Sequence, residues 1–179
     1  MRLFTAIAVP NEIKAGLHEL YTSIEGVRWQ DTSQMHLTLR FIGEVTAEIA
    51  ERLVSELQQV SVSPFHLELN GLGTFPESGK PKVIWVGVEP ESRLQELHRQ
   101  IESACQQAGL EPDNRSFTPH ITLGRNKGKA SKGIRDYLDR QKVPEFNPIP
   151  VTEFCLFRSE LTAKGAIHHL EKKFSLAPE

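Results

Sequence analysis

Two short segments of the sequence contain the same run of a histidine, an apolar residue, a threonine and a second apolar residue. The first begins at His36 and includes Thr38, and the second begins at His120 and includes Thr122. In a chain with 7 histidines, this pattern is expected by chance only about 0.06 times. Because side chains alternate across a β-strand, each segment would present its histidine and its threonine on one face.

Two imidazoles presented in this way suit acid–base cleavage of a phosphodiester. Histidine changes charge near neutral pH, so one ring can take a proton from the attacking oxygen while the other gives a proton to the leaving oxygen. The threonine hydroxyls can hold the non-bridging oxygens of the phosphate. The sequence therefore predicts a site of His36, His120, Thr38 and Thr122 that needs no metal. The alternative is that the histidines are two unrelated, half-buried strand residues.

Three further residues near the motifs are candidates for substrate contacts. Arg125 could reach the phosphate, although a regular strand would turn it away from His120 unless Gly124 bends the chain. An ordinary surface arginine is the alternative. Phe117 and Phe4 are candidates for stacking on a nucleobase, and Phe4 could equally be a core residue.

Strand alternation divides the first motif between two faces. Arg40 would share a face with His36 and Thr38, or would lie at a solvated strand end. The opposite face is predicted to be apolar core and consists of Met35, Leu37, Leu39 and Phe41.

The elements around the two motifs also repeat. A strand pattern that ends at Pro10 is followed by a helical pattern, from Ile13 to Ile24, and then by the His36 segment. A strand pattern that ends at Pro90 is followed by a second helical pattern and the His120 segment. This duplication predicts an α+β, bilobal and pseudo-two-fold fold with mostly antiparallel sheets and outer helices. We expect residues 1–179 to form one domain of two intertwined lobes, with an exposed loop over residues 73–81.

Composition limits the classes of partner. The net charge of −2 and the pI of about 6.4 argue against a protein that binds long polyanions, but they do not exclude a small phosphate or an RNA end. Local basic residues could steer an RNA backbone or simply form a solvated loop: Lys127, Lys129, Lys132 and Arg135. No apolar run is long enough for a membrane span, so we expect a cytoplasmic protein, with a monomer as the default. Cys105 and Cys155 lack metal-site spacing and are predicted to be reduced core thiols.

At the level of motifs, the chain resembles the 2H phosphoesterases. The segment from His36 to Glu44 is similar to their first motif, and the segment from Pro119 to Arg125 is similar to their second. Within that superfamily, the chain is most similar to the RNA 2',3'-cyclic phosphodiesterases, which are also called 2'-5' RNA ligases. Further similar segments are Arg2–Ile7, Val83–Gly87 and Ser159–Leu161, together with Gly73, Phe75 and Pro76.

The resemblance implies a bilobal fold with a central cleft that both histidines face. It implies hydrolysis of RNA 2',3'-cyclic phosphate ends, tRNA fragments among them, to 2'-phosphate ends without a cofactor. It also implies the related joining of RNA ends through a 2'-5' linkage without ATP. By the same resemblance, His36 is the proton donor to the leaving 3'-oxygen and His120 is the proton acceptor that activates water. Members of the family often carry a tyrosine where this chain has His168, which implies a changed preference for base or RNA end.

Three alternatives remain open from the sequence. The first is a non-catalytic module that binds RNA ends or nucleotides on the same scaffold. The second is a cyclic phosphodiesterase that acts on a small nucleotide metabolite. The third is a metallohydrolase with the histidines as ligands, although the chain contains no H-E-x-x-H motif and no close His/Asp cluster.

Overall fold

The computed structural model describes residues 1–128, 130–163 and 165–177. Four α-helices occur in these residues: α1 (Asn11–His18), α2 (Ala47–Leu57), α3 (Ser92–Gln107) and α4 (Ser131–Arg140). The strands are β1 (Arg2–Ala8), β2 (Val27–Trp29), β3 (His36–Glu44), β4 (Phe65–Leu67), β5 (Leu69–Glu77), β6 (Lys80–Val88), β7 (His120–Asn126), β8 (Ile149–Val151), β9 (Glu153–Thr162) and β10 (Gly165–Ser175). None of the described helices is long and apolar enough to cross a lipid bilayer.

The strands form one large sheet and one small ladder. The large sheet has the order β10-β9-β1-β3-β7-β6-β5, and β2 also pairs with β7. The small ladder joins β4 to β8. Every strand pairing within the described residues is antiparallel, which confirms the predicted α+β fold with mostly antiparallel sheets.

The predicted duplication is visible in the strand register. In the first repeat, β1 pairs with β3, and Ile7 lies opposite Leu37. In the second repeat, β6 pairs with β7, and Val86 lies opposite Ile121. His36 immediately precedes Leu37, and His120 immediately precedes Ile121. The two histidines therefore occupy equivalent positions in the two repeats.

The two repeats meet at a narrow seam in the sheet. β3 and β7 pair at a single position, where Leu37 lies opposite Ile121. Further along β7, β2 takes the place of β3, and Trp29 lies opposite Gly124. The separation of β3 from β7 opens the sheet into a cleft on the face that carries the histidines.

The opposite face of the sheet holds the main core. Leu37 and Ile121 are buried there, beneath the apolar faces of three helices. The helical residues that pack in this core include Ile13 and Leu17 of α1, Leu53 and Leu57 of α2, and Leu94, Leu97 and Ile101 of α3. Because these helices cover one face, the other face is left open for a site.

The first helix is shorter than its sequence pattern predicted. α1 ends at His18, whereas the apolar spacing continues to Ile24. Tyr21 lies outside the helix, donates a hydrogen bond to the carbonyl of Gln30 at 2.8 Å, and stacks on Trp29 at 4.6 Å. These tertiary contacts outweigh local helix propensity.

The predicted exposed loop over residues 73–81 is wrong, because most of this segment belongs to a β-hairpin. β5 and β6 are joined by a turn at Ser78 and Gly79, both of which have positive φ angles. Gly73 lies opposite Trp85, and a β-carbon at this position would collide with the indole ring. The glycine therefore permits a close contact within a strand, and the edge position of β5 tolerates Pro76.

Candidate active site

A cavity of about 1370 Å³ lies in the cleft at the seam of the sheet. Its lining includes His36 and His120, the two threonines Thr38 and Thr122, and Arg125. The fold therefore brings together all five residues that the sequence predicted to act on a phosphate.

The register of the seam places the two histidines diagonally across from each other. Leu37 lies opposite Ile121, and His36 and His120 each precede one of these residues. Diagonal neighbours in a regular antiparallel ladder are about 7–8 Å apart. The two rings also interact, because a charge on His120 lowers the pKa of His36. Both rings line the same cavity, beside the one position at which β3 and β7 pair.

Backbone hydrogen bonds orient both imidazoles. Nδ1 of His120 lies 2.7 Å from the carbonyl oxygen of Thr118. Since a carbonyl can only accept, Nδ1 carries a proton and Nε2 of the neutral ring keeps its lone pair. His36 likewise hydrogen-bonds to the backbone of Gln34, again two residues upstream. Each repeat thus fixes its histidine in the same way.

Burial favours the uncharged forms of both rings. It lowers the pKa of His36 to about 4, and repulsion from His168 and His120 contributes in the same direction. Burial also lowers the pKa of His120; the hydrogen bond to Thr118 opposes this effect and the charge of Arg125 adds to it. His36 is therefore neutral at pH 7 before an anion binds.

Each of the two histidines packs against a phenylalanine. Phe4 lies 4.8 Å from His36, and Phe75 lies 4.7 Å from His120, measured between ring centroids. Phe4 also stacks on Phe157 at 5.3 Å and is only 3% exposed. Base stacking by Phe4 stays a prediction; its ring lines the cavity, but little of its surface is exposed. Its role in the structure is to support His36.

A third histidine, His168, completes the aromatic cluster around His36. Its ring lies 5.1 Å from the His36 ring and 4.9 Å from the Phe4 ring, edge-on in both cases. His168 also lines the cavity. Its sequence position gave only a weak hint of this, since the contact depends on how β10 is placed in the sheet.

Phe117 lies on the wall of the cavity and has one face covered. It stacks on His98 with a centroid distance of 3.9 Å and an interplanar angle of 5°. Both residues line the cavity. Base stacking by Phe117 stays a prediction, and the covered face leaves only the other side of the ring for a base.

A β-bulge occurs at the same place in both repeats. Thr5 and Ala6 lie opposite Arg40 and Thr38, so Leu39 is an extra residue in β3. In the second repeat, Leu123 is the extra residue, directly after Thr122. An extra residue reverses the alternation of the side chains that follow it.

The bulges correct two predictions about side-chain direction. Phe41 was expected in the apolar core, but it is 38% exposed and lines the cavity. Arg40 was expected on the His36 face or in solvent, but it is buried. Arg125 returns to the face of His120 and reaches the cavity, as the motif required.

Arg40 connects the first repeat to the segment that leads into the second motif. Its Nε donates to Glu102 of α3 at 2.6 Å, and its Nη1 lies 3.3 Å from Asp113. Its Nη2 donates to the carbonyl of Glu111 at 2.8 Å. These contacts fix the chain upstream of His120 against β3.

The duplicated fold and the paired histidines are those of the 2H phosphoesterases. Residues 16–163 match the 2'-5' RNA ligase superfamily, and the chain belongs to this family.

Individual relatives match over nearly their whole length. An RNA 2',3'-cyclic phosphodiesterase from Archaeoglobus fulgidus is 34% identical over 94% of this chain and 96% of its own length. The crystal structure of E. coli LigT in its apo form is 30% identical, with a TM-score of 0.83 over 99% of this chain and 98% of that chain. E. coli LigT complexed with 3'-AMP has a TM-score of 0.82 and 29% identity over the same shares of the two chains.

Proposed function

We propose that this protein is an RNA 2',3'-cyclic phosphodiesterase, which hydrolyses cyclic phosphate ends to 2'-phosphate ends. The observation that carries the proposal is the convergence of two imidazoles, from equivalent positions of two repeats, on one cavity. Relatives of the same family are RNA 2',3'-cyclic phosphodiesterases, and a structural neighbour has been crystallised with 3'-AMP.

The proposed mechanism is an in-line displacement at phosphorus. Nε2 of His120 removes a proton from water as the water oxygen bonds to phosphorus. The bond from phosphorus to the 3'-oxygen breaks, and His36 gives its proton to that oxygen. The lone pair on Nε2 supports the role of His120 as the base, since Nδ1 is already engaged with Thr118. Hydroxyl groups of Thr38 and Thr122 and the guanidinium of Arg125 would hold the non-bridging oxygens.

The same displacement accounts for 2'-5' joining. If the nucleophile is the 5'-hydroxyl of a second RNA, departure of the 3'-oxygen leaves a phosphodiester between the 2'- and 5'-oxygens. The strained cyclic phosphate is consumed, so ATP is not needed. The superfamily to which the chain belongs is named for this reaction.

Protonation of His36 is expected to accompany substrate binding. In the free protein its low pKa, about 4, leaves the ring without the proton that an acid must give. A negatively charged phosphate beside the ring favours the imidazolium and raises the pKa. The binding of an anionic substrate therefore favours the protonated form of His36, which is the form that acts as the acid.

We expect the pKa of His36, followed by NMR of its ring Cε1–H, to rise from about 4 when phosphate binds. His168→Gln should also raise it in the free protein, because a positive neighbour is lost, and His168→Lys should lower it. These opposite directions separate an electrostatic effect from a general disturbance of packing. If the His36 pKa changes neither when phosphate binds nor when His168 is replaced, this account is contradicted.

The function itself is tested with a defined RNA that ends in a 2',3'-cyclic phosphate. We expect turnover in the presence of EDTA and a 2'-phosphate product, identified by phosphorus NMR. Tight binding without product would instead indicate an RNA-end-binding module. Loss of activity on chelation, with zinc bound stoichiometrically, would indicate a metallohydrolase. A 3'-phosphate product would mean that the 2'-oxygen leaves, against the proposed mechanism.

A further inference from the structure

Three cationic side chains line the cavity where β2 pairs with the last residues of β7. Arg28 of β2 lies directly opposite Arg125 of β7 in the strand register, and Lys127 follows two residues after Arg125. All three line the cavity. Like charges directly opposite each other on neighbouring strands disfavour the pairing. Such a pair of charges favours the binding of an anion.

The backbone that carries these cations is firmly held. The amide of Lys127 donates to the carbonyl of Gly26 at 2.7 Å. Asn126 is 2% exposed; its side chain donates to Pro81 at 2.8 Å and accepts from the amide of Gly128 at 2.9 Å. The cations are therefore presented from a fixed strand end, which limits the entropy lost when they bind a ligand.

Arg125 and Lys127 are not neutralised by the acidic residues of the cavity. Its two lining carboxylates belong to Asp31 and Asp113. Asp31 accepts from the amide and the hydroxyl of Ser33, and Asp113 is paired with Arg115 and Arg40. Across the described parts of the chain, neither Arg125 nor Lys127 forms an ion pair.

This part of the cavity is next to the place of the reacting phosphate but extends beyond it. Arg125 is close enough to His120 to lower its pKa. Lys127 lies two residues further along the chain, which is about 6–7 Å in an extended strand. The cavity, at about 1370 Å³, exceeds the roughly 300–1,000 Å³ that is usual for one small ligand. Both space and charge are thus available for a second phosphate group.

We propose that Arg28 and Lys127, on either side of Arg125, bind the phosphodiester that precedes the terminal cyclic phosphate. The inference rests on the proposed function and narrows its substrate class to the ends of oligoribonucleotides, as opposed to free mononucleoside cyclic phosphates. A phosphodiester carries a negative charge, which these cations attract. Guanidinium and ammonium groups are the side chains that bind phosphate best.

The test compares two substrates that share the same terminal nucleoside. One is a mononucleoside 2',3'-cyclic phosphate, and the other is a trinucleotide with that group at its 3' end. We expect the native protein to have the higher kcat/KM on the trinucleotide, and Lys127→Gln to reduce the ratio between the substrates roughly three- to tenfold. The salt dependence of kcat/KM on the trinucleotide should also become shallower, by about 0.7 in logarithmic slope for each lost phosphate contact.

Lys132→Gln is the matched control. Lys132 lies on α4, is paired with Asp136 at 2.7 Å and does not line the cavity. The ratio of kcat/KM between the two substrates, and the salt dependence of kcat/KM on the trinucleotide, should therefore equal those of the native protein. Equal kcat/KM on both substrates in the native protein would overturn the subsite, as would identical behaviour of the two lysine variants. If neither substrate is hydrolysed, the proposed function fails. Fluorescence anisotropy of trinucleotide binding to the same variants would then decide the subsite separately.

Discussion

His120→Ala should lower kcat on a cyclic-phosphate RNA end by roughly 10²–10⁴, and His36→Ala should lower it to a similar extent. Each substitution removes one of two proton transfers at the same phosphorus. The double variant should be little slower than either single one, because groups that act as a unit are not additive. Initial rates with saturating substrate measure these losses directly.

His66→Ala is a suitable control, because this exposed histidine lies on β4 and does not line the cavity. Its kcat should equal that of the native protein. The native pH–rate profile should be bell-shaped: activity falls at acid pH as His120 becomes protonated, and at alkaline pH as His36 in the complex loses its proton. Native turnover by either active-site variant would refute the two-histidine mechanism.

Arg40→Met should reduce the free energy of unfolding by about 3 kcal/mol, because partners of a buried charge are left unpaired. The carboxylates of Glu102 and Asp113 would lose their bonds to the guanidinium, and the carbonyl of Glu111 would lose a donor. Methionine keeps much of the length of the side chain, so the loss reflects polar contacts more than a cavity. Urea denaturation monitored by circular dichroism measures the difference in the free energy of unfolding between this variant and the native protein.

An exposed ion pair on α3, the helix that carries Glu102, provides the comparison. Arg99 of α3 pairs with Glu96 at 2.5 Å, and the Arg99 side chain is 69% exposed. Arg99→Met should therefore cost less than about 1 kcal/mol. If the two variants unfold at the same urea concentration, the contacts of Arg40 stabilise the fold no more than an exposed ion pair does.

Strand and helix periodicity made much of the fold predictable. The helical spacing from Leu94 to Cys105 corresponds to α3, and Gly109, with a φ of 95°, follows the end of that helix. The paired His-x-Thr segments were readable because they are central strands with one polar and one apolar face. Local alternation and burial agree there, so the residues alone indicate the geometry.

The features that sequence reasoning missed depend on contacts between distant segments. Phe41 and Arg40 exchange faces because Leu39 is an extra residue opposite β1, and no local signal marks that bulge. The stacking of Tyr21 on Trp29 decides where α1 ends. The position of His168 beside His36 requires β10, β9, β1 and β3 to assemble in that order.

The single residue pair at the seam controls how the two imidazoles are placed relative to each other. Leu37 and Ile121 lie opposite each other across the approximate dyad of the molecule. The strands β10, β9, β1 and β3 lie on one side of this pair, and β7, β6 and β5 lie on the other. One half contributes one imidazole, and acid–base displacement needs two. A relative shift of the two halves at this pair would therefore move one imidazole away from the other and would impair both proton transfers together.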